Sequence, residues 1–393
     1  MGSLVIILSL ILLGIVLVQI GKVNELSSAI RGEEETEYRS NNSNALFGLL
    51  FVAVFLVLVF ASFFYYKNSM LGYGPLKAAS LHGGDIDWIF DVTMYVTLIV
   101  FVLTHLALFW FAYKYRGRKG LKAKFIPHDN RLELIWMGIP SIVMAFLVVG
   151  GLIVWNNVMV DVPLTAIPNK DYIEIEANGQ QFGWNLRYPG EDGILGGNYY
   201  KEISASNPFG QLWDDEKNHD DFQPDKIVLP VNKMIRVRIT ARDVLHNFYL
   251  PFQRVKMDAV PGMPTHFVFT PTITTEDFRK QLGEVDRNGD PLYPEWHTPS
   301  DPEDPDNKYK RYEEFEYILA CAELCGKGHF SMKKTVEIVT EEEYQAWLET
   351  QNSFYEANIK GKENAPEIGE SKSEDTSEDL TTTTRKTIIS DIN

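Results

Sequence analysis

The sequence predicts a membrane-anchored α + all-β protein, in which transmembrane helices are followed by a Greek-key β-sandwich or barrel. Three observations carry this expectation. Long apolar runs crowd the first 160 residues, the pattern beyond them alternates with a period of two, and the two cysteines of the chain, Cys321 and Cys325, share a twelve-residue stretch with a His and a Met. At 393 residues the chain has room for one membrane region and one sizeable globular domain.

Four apolar runs, residues 4–20, 45–66, 90–113 and 134–155, each approach the roughly 20 residues that an α-helix needs to cross a bilayer. The first lacks a basic leading segment and a small-residue cleavage site, so it reads as a retained helix rather than a signal peptide. Between the third and fourth runs lie Lys114, Arg116, Arg118, Lys119, Lys122, Lys124 and Arg131. The positive-inside rule makes that loop cytoplasmic and places everything after Trp155 outside. Residues 21–44 then share the cytoplasmic side, although they are rich in Glu.

From about residue 161 to 340 the period is that of strands. Ile235, Val237 and Ile239 alternate with Arg236, Arg238 and Thr240, the pattern of a half-buried strand over 234–240. Further strands are expected at 172–177, 182–188, 266–270, 315–320 and 335–340, and short strands with turns between them imply a sandwich or barrel. A helix over 341–356 carries Tyr344, Trp347 and Leu348 as its packing stripe. The domain layout is therefore 1–70, an additional N-terminal transmembrane region; 71–160, a transmembrane hairpin; 161–357, the β-domain with two long insertions; and 358–393, a polar tail expected to be disordered.

The insertions are residues 190–224, with Asp214, Asp215, Glu216, Asp220 and Asp221, and residues 272–314, rich in Asp, Glu and Pro. Loops this long are usually functional or disordered. Asp286, Asn288 and Asp290 faintly suggest a cation loop, but the spacing of an EF-hand is absent. A net charge of −16 argues against nucleic acid, whose phosphates call for a Lys and Arg surplus, and favours a basic partner protein.

In Cys321-Ala-Glu-Leu-Cys325-Gly-Lys-Gly-His329-Phe-Ser-Met332, two thiols, an imidazole and a thioether are gathered together. Soft sulfur with imidazole selects copper, particularly where a Met is available as a weak ligand. Zinc takes four tetrahedral ligands and has no use for Met, so the spacing suits it poorly. A second imidazole is expected from His246, just beyond the strand ending at Thr240. His105, His128, His219, His266 and His297 lack companions and are read as ordinary histidines.

These residues resemble a known family. Asp243-Val-Leu-His246, then Val255-Lys-Met-Asp258-Ala-Val-Pro-Gly262, then the Cys321 to Met332 stretch are similar, in that order, to the CuA domain of cytochrome c oxidase subunit II, the copper-bearing subunit of haem–copper oxidases. Upstream, Glu133, Trp136 and Pro140, with Ser80, His82 and Asp87, resemble the family's membrane hairpin. The resemblance runs from about residue 75 to 350 and marks a bacterial type with extra N-terminal helices and loop insertions. It implies a cupredoxin-like β-domain holding two copper ions, bridged by Cys321 and Cys325, with His246 and His329 on one copper each. Met332 and the Glu323 carbonyl are then the weak ligands, and the Glu323 side chain helps to hold a magnesium or manganese ion shared with subunit I. It further implies electron entry from cytochrome c near Phe182 and Trp184, onward transfer to the haems of subunit I for reduction of oxygen to water, a proton-channel entrance at Glu133, and residence in the bacterial cytoplasmic (inner) membrane with the copper domain on the periplasmic side.

Departures from the family matter too. Its usual entry Trp is Phe182 here, and the loop before Cys321 is much longer than the family's short turn, so the donor is expected to be a cytochrome c that is tethered or held in a larger respiratory assembly. A quinol-oxidising relative would have lost the copper ligands, and nitrous oxide reductase would carry a propeller domain. The remaining alternative is a membrane-anchored copper-delivery or storage protein, which should show a single copper or none.

Overall fold

The computed structural model describes residues 2–66, 76–123, 125–301, 303 and 308–361, without the side chains of residues 2–10, 13, 17 and 24. Two units make up the chain: one holds the N-terminal helices through residue 158, and the other holds residues 159 onward together with 79–81. The tail expected to be disordered lies outside the described residues from 362 on.

In the first unit, α1 (Gly2–Arg31) is separated from α2 (Glu33–Tyr66) by Gly32, and α3 (Gly83–Lys114) and α4 (Asn130–Val158) follow. Among the described residues, α2, α3 and α4 are long and apolar enough to cross a membrane. In lipid a helix satisfies its backbone hydrogen bonds internally, so such sequences have few other options. Helices α2 and α3 pack through Phe51 against Phe109 and through Phe55 against Phe101 and His105.

That packing accounts for the misplaced acidic charge of residues 21–44. The Arg116 Nε donates to Asn42 Oδ1 at 2.9 Å and the Lys119 ammonium lies 3.8 Å from Glu34. The glutamates at the start of α2 thus stand beside the basic loop after α3, which offsets like-charge repulsion and puts both on one side.

The second unit is a β-sandwich of two sheets. One has the order β2-β1-β4-β7, built from β1 (Tyr172–Gln180), β2 (Gly183–Arg187), β4 (Met234–Ala241) and β7 (Thr265–Phe269). The other, β3-β9-β8-β5-β6, comprises β3 (Ile227–Pro230), β5 (His246–Leu250), β6 (Val255–Ala259), β8 (Tyr317–Cys321) and β9 (Lys333–Val339). The pairs β1/β4 and β3/β9 are parallel and the rest antiparallel. Strand β4 alternates as its sequence requires, with Ile235, Val237, Ile239 and Ala241 buried. They meet a core that includes Ile175, Leu186, Leu229, Phe248, Leu319, Val336 and Ile338. Residues 79–81 join this unit: Ala79 N donates to Phe252 O at 2.7 Å and Ser80 Oγ to Gln253 O at 2.6 Å.

Three strands, β3, β5 and β6, are additional to those expected, and the helix expected over 341–356 is two helices. Helix α6 (Glu341–Leu348) begins with a capping box between Thr340 and Glu343, and α7 (Phe354–Asn358) begins with Ser353 accepting from Glu356 N. The Ser353 cap competes with helical continuation and divides the segment.

Both insertions are packed rather than loose where described. The first is clasped at its base by paired backbone bonds between Tyr188 and Phe222. It is pinned within by Arg187, which is fully buried and reaches Glu176 at 2.6 Å, Asp221 at 3.3 Å and Asn218 Oδ1 at 3.0 Å. Asp215 accepts from Gly197 N and Asp220 from Asp192 N. Three of the five acidic residues expected to form an outward acidic run are therefore spent on internal bonds, leaving Asp214 and Glu216 exposed. The second insertion opens with α5 (Thr275–Leu282), whose Phe278 packs on Phe252, Phe315 and Tyr317. In the faint cation loop, Asp286 Oδ1 accepts from the amides of Asn288 and Asp290, which makes that segment an ordinary turn.

Candidate metal centre

The site forms where two neighbouring strands of one sheet end. Strand β5 pairs with β8 so that Phe248 faces Cys321, which brings His246 and Cys321 to the same end of the sheet. The chain then loops from Cys321 to Met332 and is closed by the Cys321 amide donating to the Met332 carbonyl at 3.2 Å. Inside the loop Gly326 has φ +133, in the left-handed region that side chains avoid. A Cβ on Gly328 would lie 2.5 Å from the Phe182 ring, so that ring rests directly on the loop.

Six donor atoms converge. The two Sγ atoms are 3.9 Å apart. Cys321 Sγ lies 3.8 Å from His246 Nδ1 and 3.2 Å from the Glu323 carbonyl, while Cys325 Sγ lies 3.6 Å from His329 Nδ1 and 3.8 Å from Met332 Sδ. Each sulfur thus has its own imidazole and its own weak donor. His246, Cys321, Cys325 and Met332 are buried, His329 is half-buried, and the Glu323 side chain is exposed. Among the described residues, His246, Cys321 and Cys325 form a cluster able to hold a metal ion, with ligand atoms within 4.8 Å of one another.

The electrostatics suit a metal that must displace protons. Burial pushes the Cys325 thiol up to about 11, and the neighbouring Cys321 adds to it, so this thiol gives up its proton only to a strongly bound ion. Asp243 behaves oppositely. Burial raises it, but the Gln181 amide and the His246 ring hold its carboxyl below the usual range. The His246 Nε2 lies 2.9 Å from Asp243 Oδ1, which leaves Nδ1 for the metal side.

Of the other candidates, Phe182 is half-exposed on the metal loop, whereas Trp184 is buried, its ring 6.2 Å from that of His246 and 5.8 Å from that of Phe248. Glu133 lies exposed in the first turn of α4. Sequence reasoning overlooked Gln181, whose side chain donates to the Cys325 carbonyl at 2.5 Å, and the supporting part of Asp243. Adjacency to Phe182 and to His246 was the available signal.

Comparison with known proteins agrees with this geometry. Residues 173–278 match the family model for the cytochrome c oxidase subunit II periplasmic domain, and residues 69–153 match the model for its transmembrane domain. A protein of Bradyrhizobium diazoefficiens named alternative cytochrome c oxidase subunit 2 is 30% identical over 312 residues, covering 79% of this chain and 94% of that one. The cytochrome c oxidase subunit 2 of Cereibacter sphaeroides is 23% identical over 71% of this chain and 80% of its own, and that of Arabidopsis thaliana 26% identical over 70% and 86%. The three long apolar helices make this a multi-pass membrane protein with a globular domain on the periplasmic side. With both family models matched in their proper order, and a relative aligned along nearly its whole length, this chain belongs to the cytochrome c oxidase subunit II family.

Proposed function

We propose that the chain carries a binuclear copper centre, CuA, and serves as the electron-accepting subunit of a respiratory oxidase whose oxygen chemistry lies in subunit I. One observation carries the reading: the donors form two equivalent groups, each a thiol, an imidazole and a weak donor, joined by sulfurs 3.9 Å apart. A single tetrahedral ion such as zinc would leave donors unused. Copper held there would supply one-electron chemistry, accepting from cytochrome c and passing on towards the haems of subunit I.

The chain's own residues do the rest. Cys321 and Cys325 would hold the copper through their sulfurs and His246 and His329 through their imidazoles, while Met332 and the Glu323 carbonyl would serve as weak ligands that tune the site. The β-sandwich would hold these atoms fixed, so little would have to move when the charge changes. The exposed Glu323 carboxylate is the chain's contribution to a magnesium or manganese ion shared with subunit I, and Glu133 stands at a proton-channel entrance. Leu324 and Phe330, 81% and 88% exposed beside the ligands, are large apolar side chains that fit burial against a partner subunit. Phe182, resting on the metal loop, and Trp184, behind it near His246, are the electron-entry residues. The donor is a cytochrome c tethered or held in a larger respiratory assembly, since Phe182 stands where the family has its entry Trp.

The test is purification of the complex with its native partners, followed by copper, haem and subunit analysis and electron paramagnetic resonance. Two coppers sharing one unpaired electron are expected. One isolated copper, or none, would indicate a delivery or storage protein and overturn the reading.

A further inference from the structure

The proposed copper ligands come from chain segments 75 residues apart, His246 at the start of β5 and the others from Cys321 onward. Strand pairing between β5 and β8 fixes their backbones. It leaves open how the His246 ring and the Cys325 end of the loop are held in step. The turn between β1 and β2, together with Asp243, supplies that link. Asp243 Oδ1 accepts from His246 Nε2 at 2.9 Å, and Asp243 Oδ2 accepts from the Gln181 amide at 2.8 Å. The Gln181 Nε2 then donates to the Cys325 carbonyl at 2.5 Å. Steric contacts point the same way. A Cβ on Gly179 of β1 would lie 3.0 Å from His246 Cδ2, so the imidazole lies against bare backbone with no slack on that side.

We propose that Asp243 and Gln181 are positioning residues that tie the two halves of the copper site together, Asp243 through the His246 ring and Gln181 through the Cys325 carbonyl. This rests on the copper reading above. A metal-bound imidazole that donates its other N–H to a carboxylate is a stronger donor, and loss of such outer partners typically weakens metal binding about 10- to 100-fold. A more basic His246 stabilises the oxidised, more positive state. Asp243 therefore lowers the reduction potential, and its neutralisation raises it.

The experiment uses the intact complex, carrying Asp243→Asn, Gln181→Ala or both, with haem content and subunit retention verifying assembly. Three quantities are read: copper per complex, the paramagnetic spectrum with the midpoint potential, and the rate of copper loss to a copper(I) chelator under reducing conditions. Asp243→Asn should keep two coppers but alter the hyperfine pattern and raise the potential. Each single substitution should speed copper loss about 10-fold or more, and the double should exceed the faster single by less than about twofold, because linked partners are not additive. An unchanged spectrum and potential in Asp243→Asn, or rates that simply multiply in the double, would overturn the link. If Asp243→Asn does not assemble, Gln181→Ala decides alone, by faster copper loss or its absence. A wild-type complex lacking two coppers would instead overturn the copper reading, and the inference with it.

Discussion

Cys325 touches three other members of the proposed copper site: Cys321 at 3.9 Å, His329 at 3.6 Å and Met332 at 3.8 Å. Cys325→Ser is expected to abolish the mixed-valence signal, because a hard hydroxyl replaces the sulfur both metals would share. Met332→Leu should leave the signal in place and shift its potential, since only a weak ligand is lost. A full signal from the serine variant would sink the ligand assignment. Away from the candidate metal site, Arg187 joins two buried carboxyl groups. It is fully buried between Glu176 and Asp221, so Arg187→Met strands two buried carboxylates and should cost about 3–5 kcal/mol in urea unfolding of the detergent-solubilised protein. The same cluster predicts a pH dependence. Burial pushes the Asp221 carboxyl up to about 7, against the pull of Arg187 and the Gly196 amide and with Asp220 and Asp192 adding. Its folded value lies above the ordinary 3.8, so its contribution to stability is full below that value and is lost as pH rises through about 7. Asp221→Asn, which imitates the protonated form, should remove this part of the pH dependence, and urea midpoints of both proteins across about pH 5 to 8 would show it.

Among the elements, α5 shows how an insertion becomes part of the sandwich. Phe278 packs at 4.9 to 5.5 Å from the rings of Phe315, Tyr317 and Phe252, and Thr275 Oγ1 accepts from Ile338 N in β9 at 2.9 Å. Phe278→Ala is expected to cost about 3–5 kcal/mol and to open residues 283–314 to limited proteolysis. Unchanged cleavage there would mean that the insertion is held by something else. These elements were unevenly legible. Strand β4 announces itself because one face is buried and the other wet, so its residues alternate. Strands β3 and β5 are buried almost throughout, which erases that alternation, and β6 is five residues long with apolar burial only at its ends. The loop of the candidate metal site was legible on chemical grounds: Cys, His and Met at short spacing gather soft donors that seldom cluster except around a metal, whereas Asp243 and Gln181 are common residues in turns.

At the scale of the molecule, the side of the membrane follows from the basic loop after α3. A membrane-impermeant thiol reagent, applied with the outer membrane permeabilised, should label Ser206→Cys and spare Gly120→Cys, judged against the parent protein; the reverse pattern would invert the topology. The donor question belongs to this scale too. A pre-assembled cytochrome c has no diffusional encounter to lose, while steering between exposed charges weakens as salt shortens the Debye length to about 8 Å near physiological ionic strength. Turnover with the native donor should therefore hold across a salt series in which turnover with added soluble cytochrome c falls, and deletions in either insertion should release the native donor. Equal turnover from soluble cytochrome c, with no effect of the deletions, would remove the tethered-donor idea. The membrane runs, the alternating strands and the cluster of soft donor residues can be read directly from the sequence, because each is written in the polarity and spacing of near neighbours. That Asp215, Asp220 and Asp221 of the first insertion turn inward to Arg187 and backbone amides, that the glutamates of α2 sit beside the basic loop, and that Asp243 and Gln181 join His246 to the Cys325 loop emerged with the folded structure alone. Those outcomes depend on contacts between residues far apart in the chain, which no local pattern encodes.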